Sequence, residues 1–361
     1  MKNRIKLFDP DVGKEETLAT KKVLESKFWA SGAGVGKVLE FEKKFKKYVS
    51  ADYCIALNNG TAALHLALSL INIENKEVIL PSLSFISTAH AVLYNRAKPV
   101  FVDVDPKTLC IDPKMVQKAI TKDTAVILPV HFGGMPSNLD VLSSLCKDHK
   151  LVLVEDAAHA AGASFKHAKI GSHGTAVCFS FHPVKNLAMP TGGAITLNGK
   201  KSDRFDKILR SRRWCGISHR KGVNYDVTEL GWNYYMNEFS AAIGIEQLKK
   251  LDKMNSKRIK IARRYSKEID ADKKMPFNKD CVYHLYWIQV KNRENFMRKM
   301  QDNNIETGIH YRPIHMMTFY KEKTKLSVTE EAGRKIVSIP IHSNLGESDV
   351  DKIIKLVNRF S

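Results

Sequence analysis

The 361-residue chain has few cysteines, and no two form a C-x-x-C pair. The six, Cys54, Cys110, Cys146, Cys178, Cys215 and Cys281, are scattered, which excludes a disulfide framework and a cysteine-based metal site. Reduced, mostly buried thiols and no metal are expected. Long apolar runs are also missing. The longest, around residues 62–71, is broken by His65 and Ser69 and cannot span a bilayer. The N-terminal MKNRIKLFDPDVGKEE is basic but lacks an apolar core of signal-peptide length, so the expectation is a cytoplasmic protein with no membrane partner. There is no internal repeat and no low-complexity segment. Nor is there a basic run interleaved with aromatics, so the net charge of +20 comes without a nucleic-acid motif. That charge leaves two uses open: nucleic-acid binding, or steering of a small anionic ligand such as a nucleotide diphosphate.

What is present is an α/β pattern. Short apolar segments alternate with amphipathic ones from about residue 15 to 250. The strand-like segments are YCIAL, EVILPSLSF, KPVFVDVD, TAVILPVHF, LVLVEDAAH, AVCFSFHP and GGAITLN. Such alternation predicts a mostly parallel mixed sheet covered by helices. After about residue 250 the texture changes. One or two long helices are followed by a strand at HLYWIQV, a helix at ENFMRKMQDNN, a strand and turn at IETGIHYRPIH, and a last helix at SDVDKIIKLVNRF, capped by Ser348. Two domains follow: a large α/β domain over 1–250 and a small α+β domain over 251–361.

In parallel sheets ligands sit beyond the carboxyl ends of the strands, and here four such ends carry suitable chemistry. Asn58-Asn59-Gly60-Thr61 opens a helix whose free N–H groups suit a phosphate. Phe85 follows the second strand and offers an aromatic face. Glu155 and Asp156 end an apolar strand, with His159 three residues on; carboxylates at that depth need partners. Ser180 ends the next strand, and Lys185 follows between an apolar approach and Gly192-Gly193. A lysine in low-dielectric surroundings loses its proton readily and becomes a nucleophile towards carbonyls. Pyridoxal phosphate (PLP) needs this set: a lysine for its aldehyde, a carboxylate for its ring nitrogen, a cradle for its phosphate and a face for its ring.

The motifs NNGTAALHLAL, LPSLSFISTAHAV, KPVFVDVD, VEDAAHAAGA, CFSFHPVKN, LGWNYYMNEFSAAIGIEQL and GIHYRP, with FWASGAGVGKVLEFE ahead of them, occur in this order. By them the chain resembles the DegT/StrS-type sugar-nucleotide aminotransferases, which are fold-type I PLP enzymes. The resemblance implies a Schiff-base and proton-carrying role for Lys185, pairing of Asp156 with the ring nitrogen, and His159 near the ring oxygen. It implies stacking by Phe85, and phosphate contacts from Gly60, Thr61 and Ser180. It implies that Asn233 reaches the phosphate site of a neighbouring subunit, in a homodimer with shared active sites. Trp29, Asn186, His310, Tyr311, Arg312 and His315 are the candidate substrate contacts. The implied reaction moves the amino group of L-glutamate to C4 or C3 of a nucleotide-linked keto-deoxysugar, in amino-sugar and surface polysaccharide biosynthesis.

The sequence departs from the family pattern in three places. Asn59 stands where relatives often have Ser, MPTGG replaces TGDGG or TGEGG after the lysine, and Tyr235 replaces a frequent Arg or His. These departures bear on the substrate more than on the amino transfer. The rivals are a PLP-dependent sugar dehydratase, which in relatives has histidine in place of the lysine, a keto-inositol aminotransferase, and a non-catalytic basic protein that binds nucleic acid or regulates.

Overall fold

The computed structural model describes residues 4–320 and 324–361. Two helices come first, α1 (Lys14–Ser26) and α2 (Gly36–Val49). An alternating run follows: β1 (Tyr53–Leu57), α3 (Gly60–Ser69), β2 (Glu77–Pro81), α4 (Ser87–Tyr94), β3 (Lys98–Val102), α5 (Pro113–Ala119), β4 (Thr124–Ile127), α6 (Leu139–His149) and β5 (Val152–Asp156). A two-stranded ladder, β6 (Ser164–Phe165) with β7 (Ala168–Lys169), leads to β8 (Ala176–Ser180), β9 (Gly193–Leu197) and α7 (Ser202–Arg212). A hairpin, β10 (Ile217–Lys221) and β11 (Asn224–Val227), precedes the long helix α8 (Glu238–Glu268). The remainder is β12 (Lys273–Lys274), β13 (Tyr286–Gln289), α9 (Arg293–Asp302), α10 (Ser327–Lys335), β14 (Ile336–Ile339) and α11 (Glu347–Phe360).

Seven strands form one sheet in the order β1-β9-β8-β5-β4-β2-β3. Only β9 runs against its neighbours. Both faces are covered. One carries Phe41, Phe45 and Val49 of α2, Leu142 of α6, and Leu251 and Met254 of α8. The other carries Leu64, Leu66 and Leu68 of α3, Val92 of α4 and Leu209 of α7. Burial on both faces explains why the strands read as apolar runs rather than alternating ones. Each buried Leu or Phe contributes about 1.5–3 kcal/mol. The mixed, mostly parallel, helix-covered sheet is the one the sequence predicts.

A second core is built on Tyr286, Ile288, Ile336, Val337 and Ile339 of the β12-β13-β14 sheet, with Phe296, Ile353 and Val357 from the C-terminal helices, and Leu83, Val104 and Phe132 of the α/β part pack into it. Helix α8 is continuous through residue 250. Its first half packs on the large core, and Ile261, Ala262 and Tyr265 join the small one. We place the division between the two domains inside this helix. Two local expectations are corrected. α11 starts at Glu347, and its first turn is capped by the Asp349 carboxylate accepting from the Gly346 N–H at 3.2 Å, so Ser348 is not the cap. The segment 305–315 forms no strand; it pairs only through the isolated Gly308–Ser338 bridge and the bridge of Ile305 to Ile5. Of the cysteines, five are buried and Cys215 is exposed, all as free thiols. Among the described residues no helix is long and apolar enough to cross a membrane, and no group of His, Cys, Asp or Glu side chains could hold a metal.

Candidate active site

The parallel run of β1, β8 and β5 brings their carboxyl ends to one edge. Asp156 pairs in register with Cys178, Ser180 with Gly193, and Gly193 in turn with Leu57. A cavity of about 380 Å³ opens at this edge. Strand alternation divides the two acids of β5. Glu155 points to the helical side away from the cavity. There it accepts from Gly174 N–H at 2.5 Å and from His131 Nε2–H at 2.8 Å. His131 Nδ1 is taken up by Ser137 N–H at 3.0 Å, which leaves Nε2 as the donor. Glu155 is thereby a satisfied structural group.

Asp156 faces the cavity. It is 4% exposed, and among the described residues it has no ion pair within 4 Å. Its Oδ2 accepts from Thr88 Oγ1 at 2.8 Å and its Oδ1 from Ala158 N–H at 3.1 Å. Thr88 is braced in turn by Ser84 at 2.7 Å. Burial raises the carboxyl pKa above its ordinary value, against the opposing pull of these hydrogen bonds and of Lys185. A buried carboxylate without a cation is an expensive arrangement, and it suits a cationic ligand group.

Lys185 sits in the loop that joins the adjacent antiparallel strands β8 and β9. The loop is closed by Phe181 N–H to Gly192 O and Met189 N–H to Phe181 O, each 2.8 Å. Its approach is anchored by Phe179 and Phe181, whose rings meet Phe45 at 5.0 and 5.3 Å. Asn186 fastens the loop from behind, its amide donating to Asn255 Oδ1 at 2.9 Å and Val282 O at 3.0 Å. The lysine amine thus projects into the cavity from a rigid support. Burial pushes its pKa down to about 8, with Asp156 opposing.

The phosphate end is built by close backbone approach. At Gly60 an added Cβ would lie 2.7 Å from Ser180 Cβ, and at Gly193 it would lie 2.4 Å from the Asn59 carbonyl. Only glycine lets these three chains meet. The helix opening at Gly60 is capped by Asn59 Oδ1 accepting from Ala62 N–H at 2.8 Å. Asn59 therefore fills the capping role open to the Ser of relatives. Thr61 Oγ1 lies 2.6 Å from Ser87 Oγ, and both hydroxyls line the cavity. Free N–H groups at a helix start together with hydroxyls suit a phosphate.

His159 accepts from Gly133 N–H at Nδ1 (3.2 Å), so Nε2 carries the proton and donates to the Tyr311 hydroxyl at 3.1 Å. Burial, then the charges of Lys185 and His310, keep it neutral by pushing its pKa well below the usual value. His159 is therefore held as a neutral imidazole whose single N–H is spent on Tyr311. Phe85 is 56% exposed on the cavity rim, 6.1 Å from Tyr311 between ring centres. The lysine, the unpaired carboxylate, the glycine-lined cradle and the neutral imidazole together fit PLP.

The cavity brings together Gly60, Thr61, Phe85, Asp156, His159, Ser180, Lys185, His310 and Tyr311 of the sequence candidates. The other five lie elsewhere. Asn186 is the loop fastener described above. His315 is buried and bonded to Ser82 Oγ at 2.7 Å. Neither reaches the cavity, and both serve packing rather than substrate contact. Arg312 is exposed, donating to Met316 O at 3.0 Å. Trp29 is half exposed, with its indole N–H on Leu24 O at 3.3 Å. Asn233 is exposed outside this cavity, its carbonyl 3.5 Å from the Asn58 amide. Sequence reasoning missed Ser84, Ser87 and Thr88, although they lie within the quoted LPSLSFISTAHAV, and His182, although it lies within the quoted CFSFHPVKN; for Phe8 no local signal exists.

The comparisons with known proteins agree with this geometry. The model of the DegT/DnrJ/EryC1/StrS aminotransferase family matches residues 10–358. An uncharacterized protein, MJ1066, of Methanocaldococcus jannaschii is 34% identical over 375 residues, covering 98% of this chain and 96% of its own. Among solved structures, Helicobacter pylori PseC, an aminotransferase involved in the biosynthesis of pseudoaminic acid, superposes with a TM-score of 0.92 at 25% identity over 99% of both chains. The sugar aminotransferase CalS13 from Micromonospora echinospora does so with a TM-score of 0.90 at 29% identity, over 98% of this chain and 99% of its own. The chain belongs to the DegT/DnrJ/EryC1/StrS aminotransferase family and is a PLP-dependent aminotransferase.

Proposed function

We propose that this enzyme takes the amino group of L-glutamate and places it on a keto carbon, C4 or C3, of a nucleotide-linked keto-deoxysugar, as a cytoplasmic homodimer in amino-sugar and surface polysaccharide synthesis. The observation that carries the reading is the pairing of a cavity-facing lysine with a buried, unpaired carboxylate at one sheet edge. A net charge of +20 favours an anionic sugar nucleotide over a neutral inositol. The sugar aminotransferases among the structural relatives support a sugar acceptor. Lysine rather than histidine at 185 supports amino transfer over dehydration.

When bound, PLP supplies an aldehyde that can carry an amine and a ring that accepts electrons. Lys185 Nζ would hold that aldehyde, and when free it could take and return a proton at the reacting carbon, a task suited to an amine whose pKa is pushed down to about 8. Asp156 holds the ring nitrogen protonated, and Thr88 orients the carboxylate for it. His159 would lie near the ring oxygen, its Nε2–H held on Tyr311. Gly60, Thr61, Ser87 and Ser180 bind the phosphate, and Phe85 screens the ring from water. Asn233, which is exposed and does not line its own cavity, is assigned to the partner's phosphate site in the dimer.

The test is an absorption spectrum of the purified protein with PLP, before and after L-glutamate. A band near 410–430 nm moving to about 330 nm is expected, followed by amine transfer to one member of a panel of keto-sugar nucleotides. A band that ignores glutamate overturns the donor. Protein that binds no PLP but binds DNA in a salt-sensitive way overturns the whole assignment. Lys185→Ala abolishes turnover; substantial activity in that variant removes Lys185 from the mechanism.

A further inference from the structure

Behind Lys185, outside the cavity wall, stands His284, two residues ahead of β13 and 1% exposed. Its Nε2 lies 3.4 Å from Lys185 Nζ, and among the described residues this is the only side-chain hydrogen bond of that amine. Its Nδ1 is buried without a partner among the described residues. Two rings fix the imidazole plane: Phe8 from the N-terminal segment, stacked at 5.5 Å and 18°, and His159 at 4.5 Å. Burial, then the nearby charge of Lys185, drives its pKa well below the ordinary value, so the ring is neutral. An imidazole held this firmly, with one nitrogen unpartnered, has a single bond left to make, and the lysine makes it.

We propose that His284 is a further catalytic residue, which receives the Lys185 amine whenever that amine is released from the cofactor and holds it at the cavity wall, ready to carry its proton back. The place of this step in turnover rests on the function proposed above; the contact itself belongs to the protein without cofactor. A neutral imidazole suits the role because it has two tautomers. With the proton on Nδ1, Nε2 accepts from the lysine ammonium. With the proton on Nε2, it donates to the lone pair of the neutral amine. The contact therefore survives both protonation states of a lysine that must change state during the reaction. The bond to the ammonium is charge-assisted and the stronger of the two, so His284 favours the charged form. The other groups facing Lys185 are Asp156 from β5, His159 from the loop after it, His182 from its own loop, and His310 with Tyr311 from the loop before Pro313. Arg258 of α8, bonded to the Tyr283 carbonyl, lies near enough for its charge to lower the His284 pKa further. Of these only Asp156 also favours the ammonium.

The test reads Lys185 in the apoprotein. Trace acetic anhydride labels free amines in proportion to their neutral fraction, and mass spectrometry of the peptide containing Lys185 gives its titration midpoint from pH 6 to 10. His284→Phe keeps a ring against Phe8 and removes both nitrogens. The expected result is a midpoint about one pH unit lower, a tenfold change in the ionisation constant. His284→Gln, whose amide reaches the Nε2 position, restores at least half of that shift. In the PLP-loaded enzyme, His284→Phe lowers kcat with KM for the keto-sugar nucleotide unchanged, and His284→Gln recovers most of it. An unchanged midpoint in a folded His284→Phe protein overturns the proposal. If that variant does not fold, His284→Gln is compared with His284→Asn, whose shorter amide cannot reach the lysine, and equal midpoints overturn it. Wild-type protein that takes up no PLP refutes the proposed function and leaves the labelling comparison readable.

Discussion

Lys185 costs the cofactor-free protein stability, and the cost can be measured. Its pKa in the folded chain is about 8 against an ordinary 10.5, chiefly through burial. Below pH 8 the lysine is charged in both folded and unfolded states, and the folded state bears the whole desolvation cost. Between pH 8 and 10.5 the folded protein gives up the proton first, so the unfolded state binds more protons and stability rises with pH. Above 10.5 both states are neutral and the cost is gone. In Lys185→Met, which fills the space without a charge, the gain over wild type is therefore about 3 kcal/mol at pH 7, about 2 at pH 9 and about 1 at pH 10. Urea unfolding of both apoproteins at these three pH values, followed by circular dichroism, gives the difference directly. A methionine that simply packs better would give the same gain at every pH. That outcome would refute the claim that the lysine amine is held in a low-dielectric site.

Asp156→Asn is expected to retain PLP but to slow the glutamate half-reaction at least a hundredfold, roughly the scale of a lost charge-stabilising group; stopped-flow absorbance at 330 nm checks it. Gly60→Ala places a Cβ 2.7 Å from Ser180 Cβ, which costs about 1–3 kcal/mol and weakens PLP binding, as read by titration near 420 nm. Glu42→Gln leaves Arg213, which is fully buried and bonded to Glu42 Oε1 at 2.5 Å, without its counter-charge. The expected loss is about 3–5 kcal/mol, visible as a lower urea midpoint with PLP affinity unchanged once folded.

The strand ends were legible in the sequence because a parallel sheet buried on both faces writes itself as apolar runs stopped by polar residues. LVLVEDAAH stops at Asp156, AVCFSFHP at Ser180 and YCIAL at the Asn58–Thr61 turn, and all three stops line one cavity. The apolar periodicity marked the α8 stretch as helical but left open one helix or two; the structure shows one. Less was legible where the chain folds back on itself. Asn186 and His315 look like polar residues beside reactive ones, yet each spends its side chain on a buried hydrogen bond to a distant segment. The β10–β11 hairpin gave no signal, since its residues 219–227 are all exposed and its apolar members, Val223, Tyr225 and Val227, follow no core-facing pattern.

By itself the sequence determined the layered α/β architecture, the lysine, the acid and the phosphate turn. These depend on local periodicity and on residues that close a strand. The tertiary structure supplied the physical reason that Asp156, the acid the family resemblance implies, faces the cavity: strand alternation and the Thr88 hydroxyl direct Asp156 there while His131 claims Glu155. It alone brought Phe8 and His284 to Lys185, across more than 170 and nearly 100 residues of chain. No pattern along a sequence carries such pairings, because they arise only when segments far apart in the chain pack together at the same sheet edge.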